Sequence, residues 1–377
     1  MSVHKRVQGK RTTWRVRWRA EGTNQSRTFE TRREADAFDR EQRNRSQLGA
    51  HAPAEPARIP LGDWLRTWWS ANAVSWAHST RLQRSFVLDK WIVPYVARIR
   101  LRDLGTARIR EWRSEITREG CPPTTANHAL SILSAALGLA VTDGLLPSNP
   151  CRNIRRLTVV VERPRALAPI EVERLRVHMP TQRDVVILGL LAYAGLRPGE
   201  VFALTWGSTG RVLVIDRSIT LGEVRPTKTN RRRTVELVAP LTADIERLRT
   251  AASAPNDLVC PAIRSQAIDL HNWTRRVWHP ACEAAGLRAV PSDGRHTYTS
   301  LLIHEGRSAP YVAAALGHSS VTTTLTHYAH IFDEAQLGTA VAMVDAINAA
   351  RVQVSAERAA AARKAAARRR DDQSSRT

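Results

Sequence analysis

Two residues ten positions apart, His318 and Tyr328, frame the stretch Leu316-Gly-His-Ser-Ser-Val-Thr-Thr-Thr-Leu-Thr-His-Tyr-Ala-His330. Gly317 is placed to end a helix. Tyr328 follows in a polar segment between His327 and His330, so its phenol reads as kept within reach for chemistry rather than packed in a core. A phenol has an ordinary pKa of about 10 and needs activation to act as a nucleophile. Three cations elsewhere in the chain suit an attack on a phosphate diester. Arg197, in Ala194-Gly-Leu-Arg-Pro-Gly-Glu200, offers a planar fork that matches phosphate oxygens, and Glu200 is placed to steady it. Arg295, in Ser292-Asp-Gly-Arg-His-Thr-Tyr-Thr-Ser300, offers a second fork at a loop-to-helix junction. Lys228, in Pro226-Thr-Lys-Thr-Asn230, is one of only five lysines among 57 basic residues. An ammonium can release a proton to a leaving oxygen, whereas a guanidinium holds its own too tightly. His318 adds a further donor. Each of these residues alone suits a surface turn; together they suggest covalent catalysis at phosphorus, with the arginine forks offsetting transition-state charge.

The bulk properties agree. With 377 residues the chain can hold two or three domains. A formal charge of +22 favours nucleic acid as partner, since each phosphate neutralised releases counterions. A membrane is disfavoured: the longest apolar candidate, Val185 to Leu196, is too short to span one, and no signal-peptide pattern opens the chain. Cys121, Cys151, Cys260 and Cys282 are scattered, which fits a reducing cytoplasm and neither a disulfide framework nor a zinc site. No Walker motif or carboxylate cluster calls for a metal or cofactor.

The elements that must position these groups fall into several segments. Residues 1–50 carry 13 basic and 6 acidic residues. Trp14 to Arg19 alternates apolar residues with arginine, Gln25 to Phe29 reads as a returning strand, and Thr31 caps a helix from Arg32 to Gln47. Arg15, Arg17, Arg19 and Arg27 are its candidate DNA contacts. Residues 51–60 form a proline-containing linker. Residues 61–155 read as four helices: Leu61 to Ala71, Thr80 to Val93 capped by Ser79, one from Asp103 to Thr117, and one from Thr124 or Thr125 to Val141. Their tryptophans read as core. After a connection at 159–165 the pattern becomes mixed α/β. It has a helix from Pro169, a buried helix from Asp184 to Ala194, and strands at Arg211 to Thr220 and Arg232 to Val238. Helices follow at Leu241–Ala252, Gln266–Ala285, Thr297–Glu305 and Ala309–Leu316. Residues 333–349 read as one amphipathic helix with Leu337, Ala340, Val341, Val344 and Ile347 on a stripe. Residues 350–377 form a basic tail of weak helicity.

The segments AGLRPGE, TKT, DGRHTYTS and LGHSSVTTTLTHYAH resemble the active-site signatures of the tyrosine recombinases, the phage integrase family. The resemblance implies a multidomain chain, mainly α with α+β parts: a small three-stranded sheet plus helix of the arm-binding type (1–50), a four-helix core-binding domain (61–155) and a mixed α/β catalytic domain (165–349). It implies that Arg197, Lys228, Arg295, His318 and Tyr328 are catalytic, that the intermediate is a 3′-phosphotyrosine, and that neither metal nor other cofactor takes part. Expected partners are double-stranded DNA at core-type and arm-type sites and three further copies of the chain, with a host DNA-bending protein and a directionality factor in accessory roles. The setting is the cytoplasm of a bacterial host, on its chromosome. Ser292 departs from the family, which has histidine or lysine there, and Gly294 stands where leucine is common; slower cleavage is expected. His296 is expected to point elsewhere on its helix and not to substitute. Integration of a phage genome is the leading reading. A transposon recombinase or resolvase with the same chemistry, and a noncatalytic regulator with a decayed site, are the alternatives.

Overall fold

The computed structural model describes residues 2–8, 11–20, 23–47, 58–159, 165–227, 232–262 and 267–374. The chain divides into two compact units, Met1–Val161 and Glu162–Thr377.

The first unit opens with an antiparallel sheet in the order β1 (Ser2–Gln8), β2 (Arg11–Ala20), β3 (Thr23–Phe29), followed by helix α1 (Arg32–Gln47). This is the expected sheet plus helix. Period-two alternation in β2 sends Val16 into the interface with α1, where Ala35 is also buried. Phe29 packs on Phe38 of α1 with ring centroids 5.1 Å apart. The Thr31 hydroxyl accepts the Glu34 N–H at 3.3 Å, as a capping residue should.

The helical part of this unit comprises α2 (Leu61–Asn72), α3 (His78–Val87), α4 (Val93–Val96), α5 (Thr106–Arg118) and α6 (Pro123–Thr142). A wider π turn, Leu88–Ile92, keeps α3 and α4 in one helical run, which begins after Ala77 rather than at a Ser79 cap. Asp103 lies in a separate 3₁₀ turn, and α5 starts later, after Gly105. Trp64, Trp68, Trp91 and Trp112 are buried, as expected of core residues. A buried indole still needs a partner for its N–H. Trp64 Nε1 donates to the Ala136 carbonyl at 2.8 Å and Trp112 Nε1 to that of Trp91 at 2.7 Å. Helix α6, with 20 residues, is long and apolar enough to cross a membrane by composition, a length that the reading of Val185–Leu196 as the longest apolar run overlooked. Its apolarity is spread over alanines among serines, and its buried stripe, including Ala129, Leu133, Ala136 and Leu137, packs in the core of this unit.

The second unit contains α7 (Pro169–Arg176), α8 (Gln182–Tyr193), α9 (Pro198–Ala203), β4 (Val212–Ile215), β5 (Arg217–Thr220), β6 (Glu223–Pro226), β7 (Arg233–Glu236) and α10 (Ala239–Glu246). It continues with α11 (Leu270–Trp273), α12 (His279–Ala284), α13 (Asp293–His304), α14 (Ala309–Leu316), α15 (Val321–Gln336) and α16 (Met343–Ser374). Helix α8 is the apolar axis expected from its sequence, with Val186, Ile187, Leu190 and Leu191 buried. The single strand expected at Arg211–Thr220 is two strands: β4 pairs with β7, while β5 forms a hairpin with β6. Helices α11 and α12 are joined through a π turn, Thr274–Trp278, into one run that starts at Leu270, where the Asp269 carboxylate accepts the Asn272 N–H at 2.8 Å.

The helix expected over 333–349 is not a single element. Helix α15 ends at Gln336, Leu337 is 92% exposed, and α16 begins at Met343. Gly338 and Thr339 interrupt the helix, so Leu337 and Ile347 do not share a stripe. The buried positions are Met343, Ile347, Ala350 and Val354, spaced by three or four residues. They pack α16 onto its own unit, and the helix runs straight through the boundary expected at 350. Arg351 reaches Asp244 at 2.6 Å and Glu173 at 3.3 Å, and Arg174 reaches Glu357 at 2.8 Å. The tail is therefore fastened at least one turn beyond its expected start. Alternating alanines and charges hide that buried periodicity in the sequence.

Candidate active site

The site forms where the ends of α8, α14 and β7 meet the first turn of α13 and the middle of α15. Arg197 is the residue before α9. Its backbone N–H donates to Glu200 Oε2 at 2.8 Å and its guanidinium to Glu200 Oε1 at 3.0 Å. Glu200 thus caps the helix and steadies the fork, as expected. A second arginine also holds it: Arg233 of β7 donates to both Glu200 oxygens at 2.9 and 2.7 Å, and its Nε donates to the Ala315 carbonyl at 3.0 Å. Burial works to raise the Glu200 pKa, but Arg233 and Arg197 outweigh it and hold the carboxyl below its usual range.

Arg295 lies in the first turn of α13. Its fork donates to the Gly195 carbonyl at 2.6 Å and to the Leu316 carbonyl, so one side chain ties the end of α8 to the end of α14. Burial, followed by repulsion from Arg197 and Arg233, pushes its guanidinium down to about 9, which still leaves it charged at neutral pH. Gly294 explains its own departure from the family pattern. A β-carbon there would lie 2.9 Å from Leu191 Cβ and 3.0 Å from the Leu191 carbonyl carbon, so the close approach of α13 to α8 requires glycine.

Gly317 ends α14 in the left-handed region, at φ 67°, which places His318 at the mouth of the site. The His318 N–H donates to the Ala313 carbonyl at 2.9 Å, and its ring Nδ1 is 2.9 Å from the buried Thr324 hydroxyl. Burial, then the charges of Arg295 and Arg197, push the imidazole down to about 4.

Tyr328 is not the reachable phenol that its polar neighbours suggest; it is 3% exposed. Thr324, Tyr328 and Ile331 form the buried stripe of α15, while His327 points outward. The phenol oxygen is 2.5 Å from Nδ1 of His296. Burial raises the phenol pKa, opposed by the Thr299 hydroxyl and the charge of Arg295. Burial lowers that of His296, helped by Arg295 and His327 and opposed by Asp293. The expectation that His296 points elsewhere on its helix is thereby corrected. Ser292 and His296 are four residues apart, one helical turn, and share a side of α13. Ser292 itself is exposed and makes no capping bond.

The structure brings Arg197, Glu200, Arg295, His318 and Tyr328 into one electrostatically coupled group. Lys228, in the connection between β6 and β7, lies outside the described residues. Sequence reasoning missed Arg233 and His296. Alternation along Arg233-Thr-Val235 puts Arg233 on the buried side of β7, and one-turn spacing from Ser292 points to His296; both signals were legible.

Among the candidate DNA contacts, Arg15 and Arg17 pair across β2–β3 with Thr28 and Ser26, on the side of the sheet away from α1. Arg27 pairs with Val16 and stacks its guanidinium 5.5 Å from the Phe38 ring, so it belongs to the α1 side. Arg19 pairs with Asn24 along the backbone, and its side chain is outside the described set. In the helical part, Arg108 is held by Glu115 at 2.9 Å, and Arg84 lies 4.1 Å over the Trp76 ring, so both have structural partners.

A phenol beside a cluster of guanidiniums is equipped for nucleophilic displacement at a phosphate diester, and the fold is shared with solved integrases. The Tn1549 transposon integrase in complex with circular intermediate DNA superposes with a TM-score of 0.65 at 18% identity, over 74% of this chain and 98% of that one. The lambda integrase tetramer bound to a Holliday junction gives 0.59 at 17% identity, over 84% and 96%. In sequence, the ICEBs1 integrase of Bacillus subtilis is 23% identical over 67% of this chain and 74% of that protein. A putative prophage phiRv2 integrase of Mycobacterium tuberculosis is 29% identical over 47% of this chain and 48% of that protein. Residues 165–335 match the model of the phage integrase family. That matched segment, the greater part of the second unit, makes the chain similar to the tyrosine recombinases, enzymes of DNA strand cleavage and rejoining.

Proposed function

We propose that the chain is the integrase of a mobile element, inserting phage DNA into a bacterial chromosome with Tyr328 as the nucleophile. The observation that carries this reading is the convergence of two arginine forks, His318 and the phenol: Arg295 acts on both Tyr328 and His318, and Arg197 acts on His318 and Arg295. In this reading Arg197 and Arg295 bind the scissile phosphate, His318 donates to one of its oxygens, and Lys228 protonates the departing 5′-oxygen. The product is a 3′-phosphotyrosine, which conserves the bond energy until a 5′-hydroxyl of the partner duplex attacks it. Four copies of the chain on two duplexes would complete the exchange, as in the tetramer described for lambda integrase. The amino-terminal sheet, with Arg15 and Arg17 on its free side, supports a second DNA contact that gains through effective concentration.

A second reading has its own support. The likeness to the Tn1549 transposon integrase favours an element that moves through a circular DNA intermediate, with the same chemistry. The test is a nicked suicide duplex carrying the junction sequence that flanks the gene. A covalent protein–DNA adduct that disappears in Tyr328→Phe is the expected result. Tight binding without any adduct would instead make the chain a regulator. Comparing a phage-type attachment pair with a circular-junction duplex then separates the two elements.

A further inference from the structure

We propose that His296 is the proton acceptor for the Tyr328 phenol, in a position that supplies what Ser292 cannot. The inference rests on the reading of Tyr328 as nucleophile. Its foundation is geometric: Nδ1 of His296 lies 2.5 Å from the phenol oxygen, at the distance of a strong hydrogen bond. Among the described residues the phenol's polar partners are His296 and the Thr299 hydroxyl. Of these, only an imidazole can take up a proton near neutral pH. A phenol donates, so Nδ1 carries the lone pair and the ring proton sits on Nε2. The groups around the imidazole are Asp293 and Arg295 on α13 and His327 on α15; burial, with Arg295 and His327, outweighs the carboxylate of Asp293 and holds the imidazole pKa below its usual value.

The alternatives in the site are otherwise engaged. Ser292 is exposed and its hydroxyl is no base. His318 is held by Thr324, and the charges of Arg295 and Arg197 oppose any proton it would take. The placement of His296 follows from the helix: one turn beyond Ser292 on the same side, it meets the buried stripe of α15 where Tyr328 sits.

The step balances as follows. The phenol oxygen forms its bond to phosphorus while its proton passes to His296 Nδ1. The bond from phosphorus to the 5′-oxygen breaks, and that oxygen leaves as a hydroxyl with the proton given by Lys228. In rejoining, the 5′-hydroxyl attacks and returns its proton to the Lys228 amine. The phenolate departs and recovers its proton from the His296 imidazolium.

The experiment is single-turnover adduct formation on the nicked duplex from pH 6 to 9, with the parent and His296→Asn. An amide of similar reach keeps a polar contact but accepts no proton in this range. We expect His296→Asn to cleave about 10²-fold more slowly at pH 7, with a rate that climbs with pH where the parent levels off. A duplex with sulfur replacing the bridging 5′-oxygen has a leaving group that needs no proton, so His296→Asn should stay slow on it. An unchanged rate and pH profile overturns the proposal. So does full recovery on the sulfur duplex, which would move His296 to the leaving group. Melting and gel-shift binding check the fold, and His296→Gln carries the same comparison if the asparagine variant melts early. An adduct in the parent, lost in Tyr328→Phe but unchanged in His296→Asn, sinks this inference alone; no adduct from the parent overturns both readings.

Discussion

The catalytic unit contains two buried clusters of arginine and carboxylate, and they are built to opposite ends. In one, Asp244 and Glu173 are each buried and are met by Arg176 and Arg351, with Arg247 on the rim. The Tyr193 hydroxyl adds a bond to Glu173 at 2.8 Å. Two carboxylates face two inner guanidiniums, and the cluster joins α7, α10 and α16. At the site, one carboxylate, Glu200, faces Arg197 and Arg233, with Arg295 beside them. Burying charge without balance is costly, so a balanced cluster is a fastening. An unbalanced one is a site prepared for an anion. The difference in charge count, more than the number of arginines, separates the two clusters.

The largest effect is expected where the two roles meet. Arg233→Met removes the bidentate partner of buried Glu200 and should cost about 3–5 kcal/mol of stability, as for other broken buried pairs, read by urea denaturation. It should also slow adduct formation, because Glu200 then holds Arg197 alone. Arg351→Met should destabilise the protein without slowing cleavage at temperatures well below its melting point. Equal losses of cleavage in the two variants would erase the distinction. Next in size is Arg295→Ala. Removing one preorganised donor should slow adduct formation by about 10²–10³-fold, and Arg295→Lys should recover little, since an ammonium cannot span the carbonyls of Gly195 and Leu316 together.

How far the sequence revealed this depends on whether a role is local. Arg197, Glu200, Arg295 and His318 sit in turns and helix ends, where a few neighbouring residues decide the conformation, and they fell where their motifs placed them. Tyr328 was misjudged because its polar neighbours in sequence occupy other sides of α15, and only the i, i+3, i+4 stripe reveals its burial. The burial of Arg233 and the side of α13 taken by His296 were legible in local spacing, but their partners, Glu200 and Tyr328, lie 33 and 32 residues away, beyond the reach of any local pattern. The break after Gln336 and the packing of α16 were hidden for a similar reason: alanine is equally at home on either side of a helix. Gly294 had looked like a departure, and its meaning became visible only with Leu191 beside it.

A smaller effect tests the excess of positive charge at the site directly. Inorganic phosphate at ten times its dissociation constant should stabilise the parent by about 1.4 kcal/mol, seen as a melting shift of a few degrees. Arg197→Ala should lose that increment, and Arg351→Met should keep it on a lower baseline. If phosphate stabilised both variants alike, the excess charge at the site would not be what attracts it.

The smallest effect concerns His318. Its folded pKa, about 4, is below the ordinary value of about 6.5, so the fold favours the neutral ring. The stability this contributes is present above about pH 6.5 and is lost as pH falls toward 4. His318→Gln should therefore flatten the urea-midpoint profile across that window. The ring is only half-buried, so solvent screening keeps the change small. Phosphate gives the more discriminating form of the measurement. An anion among Arg197, Arg295 and His318 offsets the very charges that suppress protonation, so the imidazole resonance should titrate at higher pH with phosphate bound. A titration indifferent to phosphate would place the anion elsewhere, and the unbalanced cluster would need another explanation.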